Sequence, residues 1–288
     1  MKEFCQWEPA VCMCKPISYW QEVNMNTDCF QFNLGAFECI AIKDDCEAHP
    51  LSDLTTDVPE KQLAQVLREH GYPPEGWNID FNCLLINTGE HRVLVDAGWG
   101  RGTTRRDGKL LQNLQAQAIT PKDIDVIVIT HSDRDHTGGL IYAEGDLVFA
   151  NARHIMRRGG WEAWSETDWA KESEDMVAFH RKVLDCLQGR IELVEPETEF
   201  LPGFQIIPAV GHRPDHSVLS VSSAGKRLLH LADAIIHPIM IEHEWRWPDH
   251  SLPEWAMNDR QQLLERASDQ NALVFGSHFP FPGLGYIV

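Results

Sequence analysis

Apolar runs of strand length alternate along this chain with segments whose apolar residues fall three and four positions apart, so two series of strands with accompanying helices are expected. Residues 33–43 and 82–96 carry strand patterning, the latter as a hairpin turning at Asn87-Thr-Gly-Glu-His91. Leu63, Val66 and Leu67 take helical spacing after Asp57 and Pro59, and Gly71 with Pro73-Pro74 stops that helix. Leu111, Leu114 and Ala118 mark a second helix, and Met176, His180, Val183, Leu184 and Leu187 share one face of a third, closed by Gly189. His180 therefore reads as a packing residue. Strands dominate from 191 to 233, and Glu254 to Ala267 supplies a late helix. No repeat, low-complexity segment or linker divides the chain, and periodicity alone specifies an α/β fold.

The chemistry sits where apolar runs end. Asp125-Val-Ile-Val-Ile-Thr130 leads directly into His131-Ser-Asp-Arg-Asp-His-Thr-Gly-Gly139, which puts His131, Asp133, Asp135 and His136 on one short loop. A β-branched run of this kind suits a strand covered on both faces, and Gly138-Gly139 is expected to let the chain turn tightly beyond it. A lone His-x-Asp would be a solvated turn. Two imidazoles and two carboxylates this close are costly to bury unless cations neutralise the carboxylates. Three further runs end the same way: Phe204–Val210 before Gly211-His212-Arg-Pro-Asp-His216, Arg227–Ala232 before Asp233, and Ala272–Ser277 before His278. Loops at strand ends carry chemistry because the sheet fixes their roots.

With these motifs the chain resembles the metallo-β-lactamase superfamily, from about Phe32 to Gly285, through Thr-His-x-x-x-Asp-His-x-Gly-Gly, Gly-His-x-Pro-x-His, the Ala-Asp after a strand and the late His. The ending Gly276-Ser-His-Phe-Pro-Phe-Pro-Gly-Leu-Gly285 is most similar to the branch of methyl parathion hydrolase and the acyl-homoserine lactonases. The resemblance implies a four-layer αβ/βα sandwich. It also implies one metal held by His131, Asp133 and His212, a second held by Asp135, His136 and His278, and Asp233 bridging them. Position 133 departs from the family, which usually has His there. A carboxylate in place of imidazole removes about one unit of positive charge, which should stabilise bound cations but weaken them as Lewis acids. The ligand set suits two divalent ions: zinc first, with manganese or iron compatible, because no thiolate selects zinc strongly. Asp215, where the family commonly has Gly, is expected to alter the pocket wall.

The implied chemistry is hydrolysis. Two cations roughly 3.5–4 Å apart can hold a shared water as hydroxide and polarise a carbonyl or phosphoryl oxygen. Asp135 is the expected catalytic residue, orienting that hydroxide and accepting its proton. Asp96, after Arg92-Val-Leu-Val95, is either an acceptor for a ligand imidazole or a plain strand-end cap. Small esters, lactones and phosphoesters are the expected substrate class. An iron-dependent oxygen or sulfur redox enzyme on the same scaffold is the alternative, since flavodiiron proteins resemble this chain in carrying a carboxylate, as Glu, at the position of Asp133. A metal-binding protein without catalysis is a third reading.

Composition narrows the partners. At 288 residues the chain can bury a substantial core, and its net charge of −18 argues against nucleic-acid binding. No membrane-length apolar run or secretory signal occurs, so a cytoplasmic protein without membrane association is expected. Residues 1–30 read as an extension that packs on the body or on a second subunit of a homodimer, with residues 31–288 as one domain. Six of the eight cysteines fall in the first 46 residues, and Cys12-Met-Cys14 is read as reduced thiols rather than a second metal site. Trp161, Trp164, Trp169, Trp245 and Trp247 are candidate roof residues over an apolar substrate, with packing of a long loop the plainer reading. His237, His243 and His250 are expected at the pocket rim or surface. Arg153, Arg157 and Arg158 are read as a solvated face.

Overall fold

In a computed structural model, which describes residues 7–9, 28–102 and 106–287, every apolar run named above becomes a strand in one of two facing sheets. The first sheet follows chain order: β2 (Cys29–Leu34), β3 (Phe37–His49), β4 (Trp77–Asn87), β5 (Arg92–Val95), β6 (Val126–Val128), β7 (Arg153–Arg157) and β8 (Ile191–Val194). The second comprises β1 (Trp7–Pro9), β9 (Glu199–Leu201), β10 (Phe204–Pro208), β11 (Ser217–Ser223), β12 (Lys226–His230), β13 (Leu273–Phe275) and β14 (Leu284–Ile287), in the order β1-β14-β13-β12-β11-β10-β9. Residues 10–27 lie outside the described set, and with them Cys12, Cys14, Trp20 and most of the expected N-terminal extension.

Period-two alternation explains why the strands read as unbroken apolar runs. In β5 and β6, Val93, Val95, Val126 and Val128 point between the sheets, while Leu94 and Ile127 point outward onto helices. Leu228, Leu273 and Phe275 likewise face the sheet interface from β12 and β13, with Leu229 and Val274 on the opposite face. Both faces are covered, so neither can be polar. The helices Leu110–Ala116 and Glu174–Leu187 cover the first sheet through Leu110, Leu114, Phe179, Val183 and Leu187. Helices Glu60–Glu69 and Pro253–Asp269 cover the second through Leu63, Leu67, Leu263 and Ala267. The result is the four-layer αβ/βα sandwich that the resemblance implies.

One local expectation is corrected and another refined. The strand read as 33–43 is a hairpin, because Gly35 adopts φ +61° and turns the chain between β2 and β3. A Cβ at Gly35 would meet the Ser223 carbonyl oxygen at 2.0 Å, so both space and backbone angle require glycine. Gly138-Gly139 turns the chain in a single 3-10 turn (Gly138–Leu140), but without left-handed backbone at Gly138, whose φ is an ordinary −59°. Glycine is needed there for close approach, since Cβ atoms at 138 and 139 would lie 2.2 and 2.0 Å from the carbonyl oxygens of Trp99 and Ala97.

The histidines and tryptophans sort by packing. His180 is buried, accepts a hydrogen bond from Trp164 Nε1 at 3.3 Å and stacks on Trp169, so Trp164 and Trp169 form a cluster on the first sheet's helices rather than a roof. His237 is not at a rim but buried at 2% exposure, against Tyr72 and Trp77, with Nδ1 accepting the Ile239 N–H. Arg153 and Arg158 pair with Glu192 and Glu195 at the surface, whereas Arg157 is buried and donates to Ser217 Oγ and the Pro214 carbonyl.

Burial pushes His237 down to about 3, and the nearby His70 adds to the effect. It folds neutral and must charge on unfolding in acid. Its stabilising contribution is complete above the unfolded value of about 6.5 and is lost progressively as pH falls from there toward 3. His237→Asn preserves an acceptor for Ile239 N–H but cannot titrate. The unfolding free energy of this variant should depend less on pH between about 6 and 4, by about 1.4 kcal/mol per pH unit. Parallel pH profiles for variant and wild type in denaturant titrations would show that His237 is not held neutral.

Candidate metal centre

The site forms where strand ends of both sheets meet. Parallel β5 and β6 deliver Asp96 and the loop carrying His131 to one place, and parallel β12 and β13 deliver Asp233 and His278. The loop after β10 adds His212. All seven residues expected as ligands converge as two groups: His131, Asp133, His212 and Asp233, and Asp135, His136, Asp233 and His278. Within each group one donor atom per residue lies within 4.8 Å of the others, and Asp233 belongs to both. Its Oδ1 lies 3.1 Å from His136 Nε2, and its Oδ2 lies 3.0, 3.5 and 3.7 Å from the Nε2 atoms of His278, His212 and His131. Asp135 Oδ2 is 3.2 and 3.3 Å from His136 and His278 Nε2.

The second nitrogen of three of the four rings explains why their Nε2 atoms converge. His136 Nδ1 is 2.7 Å from Asp96 Oδ2, and His278 Nδ1 is 3.0 Å from the Asp80 carbonyl oxygen. Thr130 donates its hydroxyl to Asp96 and so can accept the proton of His131 Nδ1 at 3.0 Å. An Nδ1 that donates leaves a lone pair on Nε2, the tautomer a cation needs. Asp96 therefore serves both halves of the centre: it accepts the Thr130 N–H and hydroxyl as well as facing His136. It does so with φ +60°, a left-handed conformation that Asp tolerates better than most residues. Ala232, beside Asp233, has φ +44°, which costs about 1–2 kcal/mol for a residue with a Cβ.

Three residues near the centre have roles that spacing did not indicate. His216 is a prop: Nδ1 donates to the Ala209 carbonyl oxygen at 2.7 Å, and Nε2 accepts the Asp233 N–H at 3.0 Å. Asp215, expected in the pocket wall, accepts the Ser132 N–H at 2.7 Å and ties the metal loop to the second sheet. Arg213 faces Asp133, with Nη2 3.0 Å from Oδ2 and Nε donating to Oδ1 at 3.2 Å. Over His212 lie Trp247, stacked with ring centroids 5.2 Å apart, and His250, whose Nδ1 is 3.3 Å from His212 Nδ1. Trp247 thus fits the expected roof, while Trp245 is buried against His243 and Arg260.

Electrostatics test whether the donors fit cations. Burial alone pushes Asp233 up, yet His278, His136 and His131 hold its carboxyl well below the usual range. Burial lowers His136, but Asp233, Asp135 and Asp96 raise it well above an ordinary imidazole. The clustered carboxylates demand positive charge, which protons meet at the histidines when no ion is bound and which a divalent ion would meet by displacing them. His131 Nε2, His136 Nε2 and Asp233 Oδ1 are buried without hydrogen-bond geometry, the last two facing one another at 3.1 Å, the condition of atoms left for an ion. The donors fit.

The Metallo-beta-lactamase superfamily model matches residues 81–278, which span this centre from the strand before Asp96 to the last histidine. The chain belongs to the metallo-β-lactamase superfamily. An N-acyl homoserine lactonase of Bacillus thuringiensis is 24% identical over 226 residues, covering 70% of this chain and 82% of the lactonase. Among solved structures, AidC, a dizinc quorum-quenching lactonase in complex with a product, superposes with TM-score 0.83 at 25% identity, covering 90% of this chain and 93% of AidC. AbOPH, a hydrolase of the β-lactamase superfamily, shares the fold with TM-score 0.81 at 21% identity, covering 92% and 94%.

Asp96→Asn checks the tautomer argument. The amide can still accept the Thr130 N–H, but its NH2 would face His136 Nδ1 and push the ring proton to Nε2. Metal affinity of the second group should fall about 10–100-fold in competition with a chromophoric chelator, with the far-ultraviolet spectrum retained. Unchanged affinity would reduce Asp96 to a strand-end cap.

Proposed function

We propose that this protein is a dinuclear metal-dependent hydrolase that opens an ester or lactone bond in a small molecule. The observation that carries the reading is Asp233, shared by two donor groups and flanked by the buried Nε2 atoms of His131 and His136, which make no hydrogen bond. Its sequence likeness to N-acyl homoserine lactonases favours a lactone over a phosphoester. Ligands by this reading are His131, Asp133 and His212 for one ion and Asp135, His136 and His278 for the other, with Asp233 between. Zinc is the expected metal, as in AidC.

When bound, the two ions supply Lewis acidity, activating water at neutral pH and polarising the substrate's carbonyl oxygen. Asp135 is the side chain placed to take the proton released as water attacks: it is half-buried, and its Oδ2 faces both His136 and His278. Collapse of the tetrahedral species breaks the acyl C–O bond, and the leaving alkoxide takes the proton back from Asp135, so a lactone opens to a single hydroxy-carboxylate. Trp247 above His212 and Phe81, whose ring lies 5.2 Å from His278, give the two halves of the centre aromatic walls suited to an acyl chain. Among the described residues no helix is long and apolar enough to cross a membrane.

The test is a substrate panel of lactones, aryl esters, phosphotriesters and phosphodiesters, assayed before and after chelation and metal restoration. Turnover is expected first on lactones, abolished by the chelator and regained with zinc or manganese. Asp233→Ala should lose metal from both groups and at least about 10³-fold of activity, because one side chain serves both ions. Chelator-insensitive turnover, or an Asp233→Ala enzyme with full metal content, would defeat the proposal. Oxygen consumption without hydrolysis would move it to the redox reading.

A further inference from the structure

Asp133, the residue at which the metal loop departs from its family, is gripped on both oxygens by one arginine. Arg213 Nε donates to Oδ1 at 3.2 Å and Nη2 lies 3.0 Å from Oδ2. The same Oδ2 is 3.2 Å from His212 Nε2 and 3.7 Å from His131 Nε2, so the carboxylate presents one atom simultaneously to the guanidinium and to the donors of the first group. Arg213 cannot easily leave. Nη2 pairs with the Asp249 carboxylate at 2.6 Å, and Nη1 donates to the carbonyl oxygens of Asp249 at 2.5 Å and His212 at 3.2 Å. The guanidinium is planar, always charged and held by partners on two sides, with only 22% of the side chain exposed.

We propose that Arg213 is a positioning and charge-setting residue for the first ion, acting through Asp133, so that the pair behaves as one neutral ligand. The proposal rests on the dinuclear reading above. A carboxylate alone at 133 would bind a cation more tightly and make it a weaker Lewis acid. Arg213 returns the missing unit of positive charge and turns Oδ2 toward His212. The segment that anchors Arg213 is also the one that roofs the site, since Trp247 and His250 pack on His212 and the Ser251 N–H donates to the His212 carbonyl oxygen. Metal loop and roof are thereby joined through a single cation.

Charge exchange between the two positions separates this role from simple packing. Asp133→His supplies a good ligand but leaves the guanidinium, still paired with Asp249, facing a dication with no carboxylate between them, so like charges repel. Zinc affinity at the first group should therefore drop at least about tenfold, measured by competition with a chromophoric chelator. Adding Arg213→Gln to Asp133→His restores the net charge and should recover affinity to within about threefold of wild type. Adding Arg213→Lys instead keeps the cation and should not. Wild-type affinity in Asp133→His, or equal affinities in the Gln and Lys double variants, would overturn the role of Arg213 while leaving the dinuclear reading standing. Wild-type protein that binds none of zinc, manganese and iron would remove both. Thermal unfolding of the metal-free variants, expected within a few degrees of one another, guards against reading a folding defect as a binding defect.

Discussion

Burying carboxylates beside one another is the constraint on which this molecule depends. Asp96, Asp133, Asp135 and Asp233 lie within one cluster of imidazoles at the meeting of the two sheets, and Asp96 and Asp233 are each only 2% exposed. Carboxylates in such a setting must protonate, find cations or destabilise the fold. The chain meets the demand in graded fashion. Thr130 and His136 surround Asp96, the Arg213 guanidinium holds Asp133, and four Nε2 atoms converge on Asp233 and its neighbours. Asp233 is the member for which hydrogen bonds are least sufficient, and there the argument for bound ions is strongest.

The fold supplies the rigidity this arrangement needs. Parallel strand pairs in each sheet bring their C-terminal ends to one seam, so side chains from loops distant in sequence meet there, with the donor atoms of each group within 4.8 Å of one another. Glycines at 138 and 139 then let the metal loop lie against the carbonyls of residues 97 and 99. His216, Asp80 and Asp215 lock loops rather than touch ligand space. Hydrogen bonds outside the donor set thus decide ring tautomers and carboxylate directions, and the reactivity of the centre depends on them as much as on the donors themselves.

Much of this was legible in the sequence because the relevant signals are local. Period-two apolar runs identified β4 to β6 and β10 to β13, helical spacing found the covering helices, and the strand-end positions of His131, His212, Asp233 and His278 marked the site. Through-space facts were not legible. Nothing in spacing distinguishes His212 from His216, although one faces the donor cluster and the other props Asp233. Charge counting at Asp133 considered that residue alone, and Arg213, 80 positions away, became its partner only through the meeting of two loops. His237 looked like a rim histidine because its segment is irregular, yet Tyr72 and Trp77 from distant elements bury it. The hairpin at Gly35 was hidden by apolar residues on both sides of the turn.

The central claim is that two ions share Asp233. Crystals of protein purified without added metal, with anomalous diffraction collected across the zinc, manganese and iron edges, address it most directly. Two peaks are expected, one among His131, Asp133, His212 and Asp233 and the other among Asp135, His136, His278 and Asp233, with Asp233 in contact with both. A single peak, or two peaks without Asp233 between them, would contradict the account.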